Sequence, residues 1–144
     1  MGDSRRALDV ALSGTHGESA ALMLQHSLRP RTFAFACAIV KLCRVLSLAP
    51  GISRQVSRQL LRSGTSIGAN LEEAKSAHTR REFACKLGIA LREAREAHYW
   101  LRLAEATQLA AGPELGNLIL EADQLVAILT VSVRKARQPQ VQKS

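Results

Sequence analysis

Arginines are the side chains in this sequence whose number and spacing can do chemistry. Arg54, Arg58 and Arg62 recur every four residues, Arg81, Arg92, Arg95 and Arg102 gather over a second stretch, and Arg134 and Lys135 with Arg137 form a third. A guanidinium is always charged and its planar fork of donors matches phosphate, so these stretches point to a polyanion such as RNA or DNA. The nearest acids to the first stretch, Glu72 and Glu73, follow Arg62 by at least ten residues, too far for pairing within one helix. A solvated face that only keeps a chain soluble shows the same pattern.

Other reactive types are not arranged for catalysis. A di-metal helical bundle needs inward carboxylates with Glu-x-x-His pairs, whereas His98 follows Glu96 by two residues and His78 precedes Glu82 by four. Gly64 and Gly68 fit neither a phosphate-loop nor a dinucleotide pattern. Cys37, Cys43 and Cys85 have no Cys-x-x-Cys spacing and read as buried free thiols of a reducing compartment, which suits a cytoplasmic protein. No catalytic residue, metal or cofactor is therefore expected, and the chain is read as no enzyme.

Composition bounds the rest. At 144 residues the chain suits one domain, and 47% hydrophobic but only 3% aromatic residues imply a core of Leu, Ile, Val and Ala packed between helices. The formal charge is +8, and residues 29–137 hold seventeen of the basic residues against nine acids, so the excess belongs to the part expected to fold. The longest unbroken apolar run, Phe33 to Val40, is too short to cross a bilayer, and the segment after Arg5 and Arg6 is interrupted by Asp9, unlike a signal peptide. No membrane partner is expected.

The elements that must carry these arginines follow from periodicity. Residues 1–30 mix glycine, serine and scattered leucines up to Arg29-Pro30 and read as a disordered tail; residues 31–137 hold four helices; residues 138–144 should fray. The first helix is expected from Thr32 to Leu48, with Phe35, Ile39, Leu42 and Leu46 on one side and Phe33, Cys37 and Val40 on another, so that it has two neighbours or a second subunit to cover it. Ala49-Pro50-Gly51 breaks the pattern, with Ser53 as a cap for the next helix. That second helix should run from Ile52 to Ala77 and place Ile52, Val56, Leu60, Ile67, Leu71 and Ala74 in one sector. In it Gly64 and Gly68 would let another backbone approach, Ser66 lies beside them, and Asn70 and Glu73 are expected to pair by hydrogen bonds. The competing reading ends a helix at Ser63-Gly64 and starts another after a turn.

Thr79 with Glu82 three residues on fits a capping box opening a third helix that continues to about Leu109, with Phe83, Leu87, Ala90, Ala94, Ala97, Leu101 and Ala104 inward. Ile89, Trp100 and Leu103 form a second apolar strip between the basic flank and the acidic flank of Glu82, Glu93 and Glu96, which a head-to-tail subunit contact could use. The alternative keeps Trp100 inside its own chain. Pro113-Glu114 opens the fourth helix, with Leu115, Ile119, Ala122, Val126, Leu129 and Val133 inward and Leu125 and Ile128 beside them. Short connections make neighbours antiparallel, so the fold class is all-α, an up-and-down antiparallel four-helix bundle.

The run SIGANLEEA and the later FACKLGIALREAREAHYWLRL resemble the small bacterial four-helix proteins encoded by open reading frames in 23S rRNA intervening sequences. The match extends from about Arg31 to Arg137 and is densest at Arg62, Ser66 to Asn70, Glu73, Phe83, Lys86, Ala90, Glu93, Glu96 and Tyr99-Trp100-Leu101. The resemblance implies a ring of subunits, commonly a pentamer. It also implies kinship with the accessory protein of diversity-generating retroelements, and with it RNA or DNA and a nucleic-acid enzyme as partners. Two functional expectations follow: a non-catalytic oligomer, joined through Ile89, Glu93, Glu96, Trp100 and Leu103, that binds nucleic acid through phosphates as an accessory or scaffold, or a protein-protein interaction scaffold without nucleic-acid binding, whose arginines serve subunit contacts or an acidic protein partner.

Overall fold

The computed structural model describes residues 17–139 and 141, residues 17–25 by their backbone alone. Residues 1–16, 140 and 142–144, parts of the two expected tails, lie outside the described residues. Four helices and, among the described residues, no strand make up the fold: α1 Gly17–Leu46, α2 Ile52–Lys75, α3 Arg80–Ala106 and α4 Pro113–Arg137. Contacts link α1 to α2, α2 to α3, α3 to α4 and, along a shorter seam, α4 back to α1, so the helices close around one core.

Helix α1 begins well before Thr32, and residues 17–30, read as part of a tail, are helical with Pro30 inside. Proline removes the amide that would bond His26, and His26 is exposed, which suits an unpaired carbonyl. Among the residues whose burial is described, the core of α1 begins at Leu28, followed by Thr32, Phe35, Ile39, Cys43 and Leu46. Thr32 hides this stripe from a hydropathy reading, because it is polar yet fully buried; its hydroxyl donates to the Leu28 carbonyl at 2.8 Å. Phe33, Cys37 and Val40 lie on the solvent side of α1.

Helix α2 crosses the Ser-Gly-rich motif without a break. It is joined to α1 by reciprocal bonds, the Ser57 hydroxyl donating to the Cys43 carbonyl at 3.2 Å and the Cys43 thiol to the Ser57 carbonyl at 3.4 Å. Ser53 does not cap α2. Gly51, at φ 78°, is the N-cap, and the Ser53 hydroxyl instead donates to the Leu46 carbonyl at 2.7 Å, closing the end of α1. Ile52, expected inside, is exposed because it sits in the first turn, beyond the end of the core.

Thr79 caps α3, its hydroxyl accepting from the Glu82 amide at 3.1 Å, while the Glu82 carboxylate accepts from the His78 amide at 3.0 Å. The helix stops at Ala106, short of Leu109, in a Schellman motif: the Leu109 amide bonds Ala104 O at 3.0 Å, the Gln108 amide bonds Glu105 O at 3.1 Å, and Leu109 turns onto the core. Gln108 takes the left-handed φ of 58° that glycine usually fills. Helix α4 buries Leu115, Leu118, Ala122, Leu125, Ile128, Leu129, Ser132 and Val133, with Ile119 and Val126 half-buried. By length and composition alone α4 could cross a membrane; here its apolar face is occupied by the core.

Candidate functional site

Alanine at Ala90, Ala94, Ala97 and Ala104 lets α3 sit deep between α2 and α4, all four side chains being fully buried. That position fixes the two flanks of α3. One faces α2, where Lys86 meets Glu73, and Arg62 meets Glu93 at 3.2 Å and also Glu96. The other faces α4, where a guanidinium nitrogen of Arg137 lies 3.0 Å from where a Cβ on Gly88 would stand.

The arginine ridge of α2 therefore divides. Arg54 and Arg58 are exposed and, among the described residues, in no ion pair, whereas Arg62 turns to α3 and is neutralised there. Counting acids along one helix missed this, since the partners come from another. Glu96 is held below the usual carboxylate range first by the Arg62 hydrogen bond and then by the Trp100 indole, whose Nε1 donates to it at 3.2 Å. The same pairing raises Arg62, with the Glu96 hydrogen bond the largest cause.

On α3, Arg81, Arg92, Arg95 and Arg102 are exposed and, among the described residues, in no ion pair. Residues 81, 88, 95 and 102 recur every seven along α3, so the three arginines share the row of Gly88 and border α4. Arg134 is exposed near the end of α4, and Lys135 is half-buried. Arg80, which the sequence reading passed over, donates to the carbonyls of Lys135 and Ala136 at 3.1 Å and so closes the C-terminal end of α4. Tyr99 was likewise missed as an exposed aromatic; its spacing of four from Arg95, three from Arg102 and seven from Arg92 was the available signal.

The apolar strip expected to join subunits through α3 is partly used within the chain. Trp100 packs against the core with its indole bonded to Glu96, Ile89 and Leu103 are half-buried, and Glu93 and Glu96 hold Arg62. The most exposed large apolar side chains of the helices lie elsewhere: Ile52 in the first turn of α2, Phe33 at 71% and Val45 on α1, and Leu120 on α4. Val40 on α1 and Leu61 on α2, each 40% exposed, flank the seam at which Ile39 meets Gly64.

At the glycines, a Cβ on Gly64 would stand 2.8 Å from Cγ1 of Ile39 and one on Gly68 would stand 3.4 Å from the Thr32 hydroxyl. Ser66 and Asn70 serve α2 itself, the Ser66 hydroxyl donating to Arg62 O at 2.6 Å and the Asn70 amide to Ser66 O at 2.8 Å. Asn70 and Glu73 do not pair: Glu73 points to α3 and takes Lys86. Cys43 is buried, but Cys37 and Cys85 are exposed, contrary to the expectation of three buried thiols, because both lie on solvent faces of their helices.

A shallow open depression at the α2–α3 turn is lined by Glu72, Glu73, Ser76, His78, Glu82 and Lys86. Its carboxylates are engaged, Glu72 by Arg29 at 2.7 Å, Glu73 by Lys86 and Glu82 by the His78 amide. Among the described residues no three His, Cys, Asp or Glu side chains gather as metal ligands.

Comparison with known proteins bears on this arrangement. The family of 23S rRNA-intervening sequence proteins matches residues 28–131, which hold all but the last turn of the core formed by the described residues. A crystal structure from Bacteroides thetaiotaomicron VPI-5482, a protein of unknown function from the S23 ribosomal protein family, is 32% identical, with a TM-score of 0.68 over 77% of this chain and 98% of that one. No curated protein matches.

Proposed function

The chain belongs to the 23S rRNA-intervening sequence protein family, and from that premise we propose that it is a non-catalytic basic bundle that binds RNA or DNA through phosphate contacts. The observation that carries this reading is the division of charge. Glu72, Glu73, Glu93, Glu96 and Glu121 are taken up in ion pairs, while Arg81, Arg92, Arg95 and Arg102 on α3, Arg54 and Arg58 on α2 and Arg134 on α4 stand exposed and, among the described residues, without one. Pairing within the chain neutralises these five carboxylates; the exposed acids that, among the described residues, stand in no ion pair are Glu82, Glu105, Glu114 and Asp123, fewer than the exposed arginines, so the excess facing water is positive and phosphate is its matching ligand.

Self-association completes the reading. The exposed apolar side chains Phe33, Val40 and Leu61 are candidates for burial between copies, in a ring of subunits that the family resemblance puts at five. A ring would multiply each basic face. The reading has no place for an enzyme, since the neighbouring carboxylates at the α2–α3 turn are engaged, Glu72 by Arg29, Glu73 by Lys86 and Glu82 by the His78 amide.

Fluorescence anisotropy with a labelled RNA and a labelled DNA duplex across a salt series tests it. Affinity is expected to fall steeply, by about 0.9 in log K per log salt for each duplex phosphate contacted, and Arg81→Ala, Arg95→Ala and Arg102→Ala together should reduce the slope by about 2 to 3. A flat titration, or no binding at low salt, overturns the reading in favour of a protein-interaction scaffold.

A further inference from the structure

Phosphate contacts alone leave one feature of α3 unexplained. Tyr99 is 55% exposed, on the basic flank of α3, with Arg95 one turn before it, Arg102 one turn after and Arg92 two turns before. A tyrosine ring so exposed loses hydrophobic stabilisation, and its hydroxyl has no hydrogen-bond partner among the described residues. Its ring is nevertheless held. Tyr99 and Trp100 meet edge to face, centroids 5.2 Å apart and planes at 74°. Trp100 is packed on the core and its indole is fixed to Glu96, which Arg62 holds in turn.

Trp100 stands on the α2 side of Tyr99, whereas Arg95 and Arg102 share the row bordering α4. The ring is thus braced from one side and open on the other. Among the described residues no lysine or arginine stacks on it, although three are within reach along the helix.

We infer that Tyr99, with Arg92, Arg95 and Arg102 around it, is a stacking platform for an unpaired base of single-stranded nucleic acid. An aromatic face at the centre of a positive surface takes the base while the guanidinium groups hold the phosphates on either side, an arrangement suited to a single strand because a duplex keeps its bases stacked on one another. The inference rests on the phosphate reading and narrows it, since it names the form of nucleic acid that the α3 face prefers. Base identity is not read here, as every base offers a π face and no base-edge donor or acceptor converges on the ring.

The test compares three ligands of equal phosphate number in anisotropy titrations on the full chain: a single-stranded oligonucleotide, the same strand made abasic, and a duplex. The wild-type protein is expected to bind the single strand about tenfold more tightly than the abasic strand. Tyr99→Leu, which keeps an apolar side chain without the ring, should abolish that difference, Tyr99→Phe should keep it, and all three proteins should bind the duplex alike. Trp100 is the chain's only tryptophan, so its fluorescence should respond to the single strand and much less to the abasic one. Equal affinity of wild type and Tyr99→Leu for the single strand overturns the platform. If Arg92→Ala, Arg95→Ala and Arg102→Ala then weaken all three ligands, the phosphate reading survives alone; if no ligand binds at low salt, both fall.

Discussion

Arg62 shows how a charge that spacing leaves free on one helix is claimed by the next. Its guanidinium is about half exposed, so the pairs with Glu93 and Glu96 contribute little to stability, and Arg62→Ala should cost no more than about 1 kcal/mol in chemical unfolding. Its larger effect falls on Glu96. A carboxyl whose folded pKa is depressed adds stability that is present above its unfolded value and lost as pH falls through the folded one, so this pair matters down to below the ordinary carboxylate range near pH 4.3. Trp100 emission reports the event, because the indole bonds the same carboxylate: its acid transition should lie below that range in the wild type and move up toward it in Arg62→Ala. An unmoved transition would mean that Arg62 does not hold Glu96 in solution. Cys43 makes a second test, since burial raises its thiol pKa and the Ser57 bond only partly offsets this. A thiol reagent at neutral pH should label Cys37 and Cys85 and spare Cys43 until the chain unfolds.

Among the elements, α2 is where two glycines four residues apart have different jobs. A methyl at Gly64 would stand 2.8 and 2.9 Å from two atoms of Ile39, a stiff, fully buried side chain. Gly64→Ala should therefore destabilise by about 1–2 kcal/mol, overpacking outweighing the better helix former. At Gly68 the nearest atom is 3.4 Å away, an ordinary contact, so Gly68→Ala should be neutral or stabilising by up to about 1 kcal/mol. Urea denaturation of the two variants checks the contrast. A third variant, Gln108→Gly, should stabilise by about 1 kcal/mol by relieving the left-handed residue that ends α3. The need for small residues across this motif was legible in the sequence, since the helical period carried Leu60, Ile67 and Leu71 through it in one sector. Which residues would lean on them was not, because Ile39 and Thr32 come from another helix. The start of α1 was missed for a related reason: Pro30 and the polar Thr32 interrupt the apolar stripe that continues from Leu28, and the Leu28 and Arg29 carbonyls, which accept from the Thr32 hydroxyl, explain how it is buried.

For the molecule as a whole, the sequence showed an excess of positive charge and more apolar surface than one bundle covers, and it placed that surface both on the Phe33, Cys37 and Val40 side of α1, which is exposed, and on α3, where the strip is partly used within the chain. Cross-helix pairing of Glu93 and Glu96 could not be seen from spacing, and it moves attention to Phe33, Val40 and Leu61. If those side chains are buried between copies, Phe33→Arg should give a smaller particle by light scattering, and Cys37, on the same side of α1, should label more slowly as protein concentration rises. Equal particle size for Phe33→Arg and wild type would place self-association elsewhere. The short seam between α1 and α4, clamped where Arg31 reaches Glu121 at 2.5 Å and Gln124, has a separate outcome. Helices α2 and α3 each have two long contacts, whereas α1 and α4 each have one and share this brief latch; of these two, α1 is the weaker, because Pro30 interrupts its internal hydrogen bonding. In deuterium uptake followed by mass spectrometry, the amides of α1 should exchange first among the four helices, and Arg31→Ala should hasten them while leaving the middle of α3 as slow as before.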